Sequence, residues 1–267
     1  MTTLPDQTPA SLPLRAKRAA FDLLPRRTRL PVRVLWLRAG GHLEPEIADM
    51  AHLVPPGGTA VDVGANHGIY SYFMVRHFDT VVAFEPQPAC AETLRDWAGP
   101  RVDVRTLALS DGAGESTLSI PVVHGVPMTG YARLDRRGAG DGARTLTVPV
   151  ERLDDQDLHD VRLVKIDVEG HELEVLRGGE ELLRRDAPVL LVEIERRHLG
   201  PERQVADVVG YLEGLGYDAR FRAGGSGWTP FDRFDPDRHQ GRAAVGTPDY
   251  VSMFLFTPAG HVPPATA

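Results

Sequence analysis

The residues best suited to chemistry begin at Val61-Asp62-Val63-Gly64-Ala65-Asn66-His67-Gly68. A short apolar run ends in a turn holding two glycines four positions apart, and a helix-like pattern then starts. Glycine lets backbone approach a ligand closely, and the start of a helix offers free N–H groups. Glu85 follows 23 positions after Asp62, where an acid at the tip of the next strand accepts hydrogen bonds from both hydroxyls of a ribose. The pattern differs from a dinucleotide fingerprint, because Asn66 stands where that fold needs glycine, and no G-K-[ST] follows to meet phosphates. Asp62 instead suits a ligand with a cationic group, such as the amino group of a methionine moiety.

A second group of candidates is Asp167, Glu169, His171 and Glu172, with Glu193 and Glu195 closing the next apolar run. Asp167 and Glu169 are two apart, so in extended backbone they point the same way. Three chemistries fit. Glu169 and Glu172 favour the N-terminus of a helix. Asp167 or His171, with Glu169 beside them, can accept a hydroxyl proton. Asp167 and Glu193, with Glu169 or His171, can hold Mg²⁺ and so lower a hydroxyl pKa. Spacing alone leaves the last two open.

The elements that must position these groups alternate. Residues 59–63 read as a strand, 69–78 as a helix, 80–86 as a strand, 88–97 as a helix and 101–109 as a strand. This rhythm builds a parallel sheet. It resumes with strands at 162–167 and 188–194, a helix at 201–214, and strands at 216–222 and 250–256. Between the halves, 116–121 and 145–150 alternate like the arms of an inserted β-hairpin, joined by a Gly- and Arg-rich segment. Residues 1–54 read as a tail followed by short helices broken at Pro25, Pro31 and Pro45, with Leu35 and Trp36 packing them together. Residues 55–257 form the main domain and 258–267 a C-terminal tail.

Composition narrows the field. A formal net charge of -7 counts against a nucleic-acid partner. Arginines nevertheless crowd the first forty positions, as a solvated face or a contact for an acidic ligand. One cysteine, Cys90, allows no internal disulfide and fits a reducing, cytoplasmic setting. No segment approaches the ~20 apolar residues of a transmembrane helix. His239 reads as a surface residue.

Asp62-Val-Gly-Ala-Asn-His-Gly, Ala83-Phe-Glu-Pro, Ala108-Leu-Ser-Asp-Gly and Val164-Lys-Ile-Asp-Val-Glu-Gly-His-Glu resemble the successive motifs of the FkbM family of S-adenosylmethionine-dependent methyltransferases. The resemblance spans about residues 59–195. It implies an α/β, Rossmann-like, seven-stranded and mostly parallel methyltransferase sheet, here with a helical N-terminal extension. It also implies O-methylation of a hydroxyl on a sugar, lipid or secondary metabolite. By position, Asp62, Gly64, Ala65, Asn66 and Gly68 would meet the methionine part of the cofactor and Glu85 its ribose. Ala108, Leu109 and Ser110 would line the adenine, and Asp167 would stand between cofactor and acceptor. Two other readings of the same residues are an NAD(P)-dependent oxidoreductase and a non-catalytic partner subunit that binds the cofactor.

Overall fold

A computed structural model describes residues 23–123, 125–134, 142–224 and 227–261. The expected tail at 1–13, and most of the expected tail at 258–267, lie outside them.

The chain opens with helices α1 (Arg26–Ala39) and α2 (Pro45–Leu53). Strand β1 (Thr59–Val63), helix α3 (Ile69–Met74), β2 (Thr80–Phe84), α4 (Pro88–Trp97) and β3 (Val102–Arg105) follow. Next come β4 (Ala108–Leu109), β5 (Gly114–Val123), β6 (Val126–Pro127), β7 (Arg133–Leu134) and β8 (Ala143–Glu151). The second half runs β9 (Val161–Ile166), α5 (Glu172–Gly178), α6 (Glu180–Asp186), β10 (Val189–Glu193), α7 (Val205–Gly214), β11 (Tyr217–Phe221), β12 (Thr229–Pro230), α8 (Pro236–Gln240) and β13 (Met253–Pro258).

Strands β1, β2 and β9 are rich in Val, Ile, Leu and Ala and buried along nearly their whole length, as strands covered by helices on both faces are. The main sheet has the order β12-β11-β13-β10-β9-β1-β2-β3. Strands β10, β9, β1, β2 and β3 are parallel, while β13 and β11 run antiparallel to their neighbours. One face is covered by Leu173, Leu176, Leu183, Val208 and Leu212 of α5, α6 and α7. The other is covered by Ile47, Met50 and Leu53 of α2 with Tyr70 and Met74 of α3. Helix α1 lays Leu30 and Val34 against Leu94 of α4.

Strand β1 lies between β2 and β9, so the chain leaves it in opposite directions on its two sides. Such a switch point opens a crevice beyond the carboxyl ends of the strands. Val63 pairs with Ile166 in register, which brings the 64–68 turn and Asp167 to the same crevice.

Several expectations need correction. The main sheet has eight strands rather than seven, because two-residue β12 adds an edge. The strand expected at 101–109 divides. β3 stays in the main sheet, while β4 pairs with β8 in a second sheet ordered β4-β8-β5-β6, with β7 on β5. This insertion has its own apolar core of Ala108, Leu118, Ile120, Val148 and Val150, more than a hairpin. Helix α1 passes through Pro31 without breaking; proline costs a helix one donor and crowds the preceding turn, and here packing of Leu30 and Val34 outweighs that. Leu35 and Trp36 are exposed rather than packed. His239 is buried and stacked on Phe234 rather than lying on the surface.

Candidate functional site

The turn after β1 is shaped by backbone requirements. Gly64 has φ +74°, and a Cβ there would overlap the carbonyl oxygen of Asp167. The turn therefore lies directly against the end of β9, and glycine is the residue that permits it. Gly68 packs on Leu94 and Leu30, so its role is the joint between α3, α4 and α1 rather than the crevice. Ala65 is buried against the same group.

Glu85 ends β2 and turns into the crevice. Its Oε2 accepts a hydrogen bond from the Asn66 backbone N–H at 2.7 Å, and its Oε1 accepts one from Gln87 N–H at 2.8 Å. Burial pushes its carboxyl up to about 7, against the lowering effect of these bonds. Asn66 itself has φ +49°, and its buried Oδ1 has no hydrogen-bond partner among the described residues. An unpaired buried acceptor costs free energy. Together these groups form a polar corner in which the Asn66 Oδ1 has no partner among the described residues.

Asp62 is placed differently from the expectation. Its carboxylate is fully buried and turned into α3, where Oδ2 accepts from Ser71 N–H at 3.0 Å and from Ser71 Oγ at 2.6 Å. Lys165, the last residue but one of β9, lies 3.8 Å from Asp62 Oδ1 and 3.1 Å from Asp167 Oδ2. Burial would lower the Lys165 pKa, but Asp167, Asp62, Glu44 and Glu193 outweigh it and raise it. The ammonium also lies 4.9 Å from the centre of the Tyr70 ring, a cation–π arrangement, and Tyr70 O–H donates to Glu44. Lys165 thus joins β1, β9 and the residues ahead of α2 into one charged group. The sequence reading passed it over, although a lysine inside an apolar strand is itself a signal.

The crevice is lined by Gly64, Asn66, Glu85, Leu107, Ala108 and Leu109 on one side and by Asp167, Val168, Glu169 and His171 on the other. Ser110 lies just beyond, its Oγ 2.8 Å from His171 Nε2. Thr129, Gly130, Ala132 and Leu134, between β6 and β7 and on β7 itself, roof it. Gln87 Nε2 donates to Thr129 O at 3.0 Å and so ties the roof to α4. Only about 50 Å³ of space remains beneath it.

The acidic group does not converge in one cleft. Asp167, Glu169 and His171 line the crevice, but Glu169 has φ +56°, so the stretch is not extended and its carboxylate meets His198 Nδ1 at 2.6 Å. Glu172 Oε1 accepts from Gly170 N–H at 2.8 Å; the N-cap of α5 is His171, and no side chain caps it. Burial pushes the Glu172 carboxyl up to about 7. Glu193 lines a separate cavity of about 330 Å³ with Glu44, Glu46, Arg222, Tyr250 and Ser252. Burial, with Asp167 and Glu195 adding to it, raises Glu193 well above the usual carboxylate range. Glu195 is the ionised partner: burial would raise it, but bonds from Arg197 at 2.6 Å and from Tyr250 lower it. Among the described residues, no group of three or more His, Cys, Asp and Glu side chains could hold a metal ion. The Lys165 ammonium already supplies the positive charge beside Asp167, so a Mg²⁺ site at Asp167 and Glu193 finds no support.

The sequence profile described as Methyltransferase FkbM domain matches residues 62–219. "Methyltransferase sdnD" of Sordaria araneosa is 31% identical over 167 residues, covering 50% of this chain and 64% of that protein. "Methyltransferase 1" of Beauveria bassiana (strain ARSEF 2860) is 28% identical over 150 residues, covering 48% of this chain and 60% of that protein. The chain thus spans less than two thirds of these relatives. Among solved structures, a methyltransferase FkbM from Methylobacillus flagellatus KT aligns with a TM-score of 0.47 and 17% identity, over 92% of this chain and 60% of that one. With more than half its length matched by the profile, the chain belongs to the FkbM methyltransferase domain family.

Proposed function

We propose that this protein transfers a methyl group from S-adenosylmethionine to a hydroxyl of a small-molecule acceptor. The observation that carries the reading is the Asn66–Glu85 corner: a carboxylate fixed by two backbone N–H groups beside an unpartnered buried amide oxygen. Glu85 would accept from the ribose hydroxyls, Asn66 Oδ1 would accept from the ligand's amino group, and Ala108 and Leu109 would flank the adenine. When bound, the cofactor supplies a methyl group already activated on a sulfonium. Asp167 stands at the junction between the crevice and the acceptor side.

These polar groups fit the cofactor; the space does not yet. A ligand of this size needs a pocket of several hundred Å³, against about 50 Å³ under the Thr129–Leu134 roof. The roof, tied down by the Gln87–Thr129 bond, is the element whose movement would admit the ligand and then exclude water.

The acceptor side is the cavity at the end of β10. Val192 pairs with Ile166, so Glu193 stands next to Asp167 across neighbouring strands. A carboxylate whose pKa is raised is a stronger proton acceptor once ionised. Once it has lost its own proton to solvent, Glu193 is placed to take the hydroxyl proton, and it replaces His171, which is held by Ser110 on the adenine side. A net charge of -7 favours a small acceptor over nucleic acid.

The test is transfer of tritium from methyl-labelled S-adenosylmethionine to a panel of hydroxylated metabolites. Label should appear in at least one acceptor, and Glu193→Gln should slow transfer by about 100-fold, the middle of the range for a general base. Transfer at an unchanged rate in the variant would remove Glu193; label reaching only amine or carboxyl groups would remove methyl transfer to a hydroxyl.

A further inference from the structure

Arg26, Arg29 and Arg33 fall at helical spacing on α1 and share one face. That face borders a cavity of about 500 Å³ lined also by His67, Cys90 and Thr129. His67 comes from the turn after β1, and Thr129 lines both this cavity and the cofactor crevice. The two spaces share a wall.

Three arginines and two carboxylates are among the residues that line this cavity. Glu92 and Asp96 of α4 also line it, and Arg26 pairs with Asp96 at 3.6 Å. Arg29 donates through Nε to Leu24 O at 3.2 Å. Arg33 is half-buried and has no ion pair or hydrogen bond among the described residues. Burial holds it below the usual guanidinium range. Its helix cannot simply turn it away, because Leu30 and Val34 on either side are locked in the core. Its guanidinium faces the cavity with no carboxylate of the described residues bound to it, so it is available to a ligand anion. A guanidinium fork matches a carboxylate or phosphate two bonds at a time.

We propose that Arg33, with Arg29 and His67 beside it, binds an oxyanion (a carboxylate or a phosphate) in this cavity. The arginine-rich start of the chain is then part of a ligand site rather than a solvated face. The anion has two possible sources with the same chemistry: a separate anionic ligand such as an acidic acceptor, or the carboxylate of the bound cofactor's own amino-acid moiety. The proposal holds whichever group the enzyme methylates.

The experiment is calorimetric titration of wild type, Arg33→Met and Arg33→Lys with three probes: inorganic phosphate, S-adenosylhomocysteine, and methylthioadenosine, which lacks the carboxylate. For a separate anion, wild type binds phosphate saturably, Arg33→Met loses about tenfold or more, and both nucleosides bind all proteins alike. If the cofactor supplies the anion, Arg33→Met weakens S-adenosylhomocysteine by a similar factor and leaves methylthioadenosine unchanged. Arg33→Lys keeps the charge and loses the fork, so it falls between, and it carries the test if the methionine variant does not fold. Equal affinities of wild type and folded variants for all three probes, or no phosphate binding by wild type with equal S-adenosylhomocysteine affinities, would overturn the proposal.

Discussion

Lys165 Nζ lies 3.1 Å from Asp167 Oδ2, and the two residues flank Ile166 at the end of β9. The same ammonium is 3.8 Å from Asp62 on the neighbouring strand. One buried cation therefore holds the carboxylate at the mouth of the crevice and the carboxylate beneath its floor.

Removing that cation should be expensive. Lys165→Met leaves Asp62 buried with Ser71 as its remaining partner, and breaking a buried ion pair from one side costs about 3–5 kcal/mol. Urea denaturation should show a loss of this order. A variant as stable as wild type would mean that Asp62 is protonated in the fold.

Ser71→Ala tests the other side of Asp62. It deletes the 2.6 Å bond from the Ser71 hydroxyl while the backbone N–H bond stays. A hydrogen bond to a buried charged group contributes about 1.5–3 kcal/mol, so denaturation should report a loss of about 2 kcal/mol.

Glu172 gives a pH signature. Its carboxyl is pushed up to about 7 by burial, from an ordinary value of 4.5. Below about 4.5 both folded and unfolded states hold the proton. As pH rises from there to about 7 the unfolded chain ionises first, binds fewer protons and gains stability relative to the fold. Wild-type stability should fall through this window, and Glu85 adds to the fall with the same sign. Glu172→Gln copies the protonated acid, so its melting temperature should exceed wild type at pH 8 and approach it at pH 4.5. An equal difference at both pH values would show that folding does not raise the Glu172 pKa.

Much of this was readable from local rules. The Gly64–Gly68 turn, β1, β2 and Glu85 follow from glycine spacing, apolar runs and strand-to-helix rhythm within thirty residues, where few alternatives compete. What was missed depends on partners distant in sequence. Asp62 looked like a ligand group because nothing nearby announces that Ser71 will turn back to it. Glu193 and Asp167 do stand side by side, yet Glu169 swings to His198 through a left-handed backbone that alternation rules cannot foresee. The run at 101–109 reads as one strand because no glycine or proline interrupts it; pairing of Ala108 and Leu109 with β8 divides it. Arg33 was visible only as one of a crowd of arginines, and its isolation appears once α1 is packed on α4.

In the proposed function, Glu85 and Asn66 complete their hydrogen bonding on S-adenosylmethionine. The direct measurement is calorimetric titration with S-adenosylhomocysteine of wild type and Glu85→Gln at pH 6 and pH 8. Wild type should bind with micromolar affinity, more tightly at pH 8 because the Glu85 carboxyl, held near 7, is then ionised and free to accept from both hydroxyls. The folded variant should bind about tenfold or more weakly and lose the pH dependence. No binding by wild type at either pH, or equal affinities for the two proteins, would contradict the account.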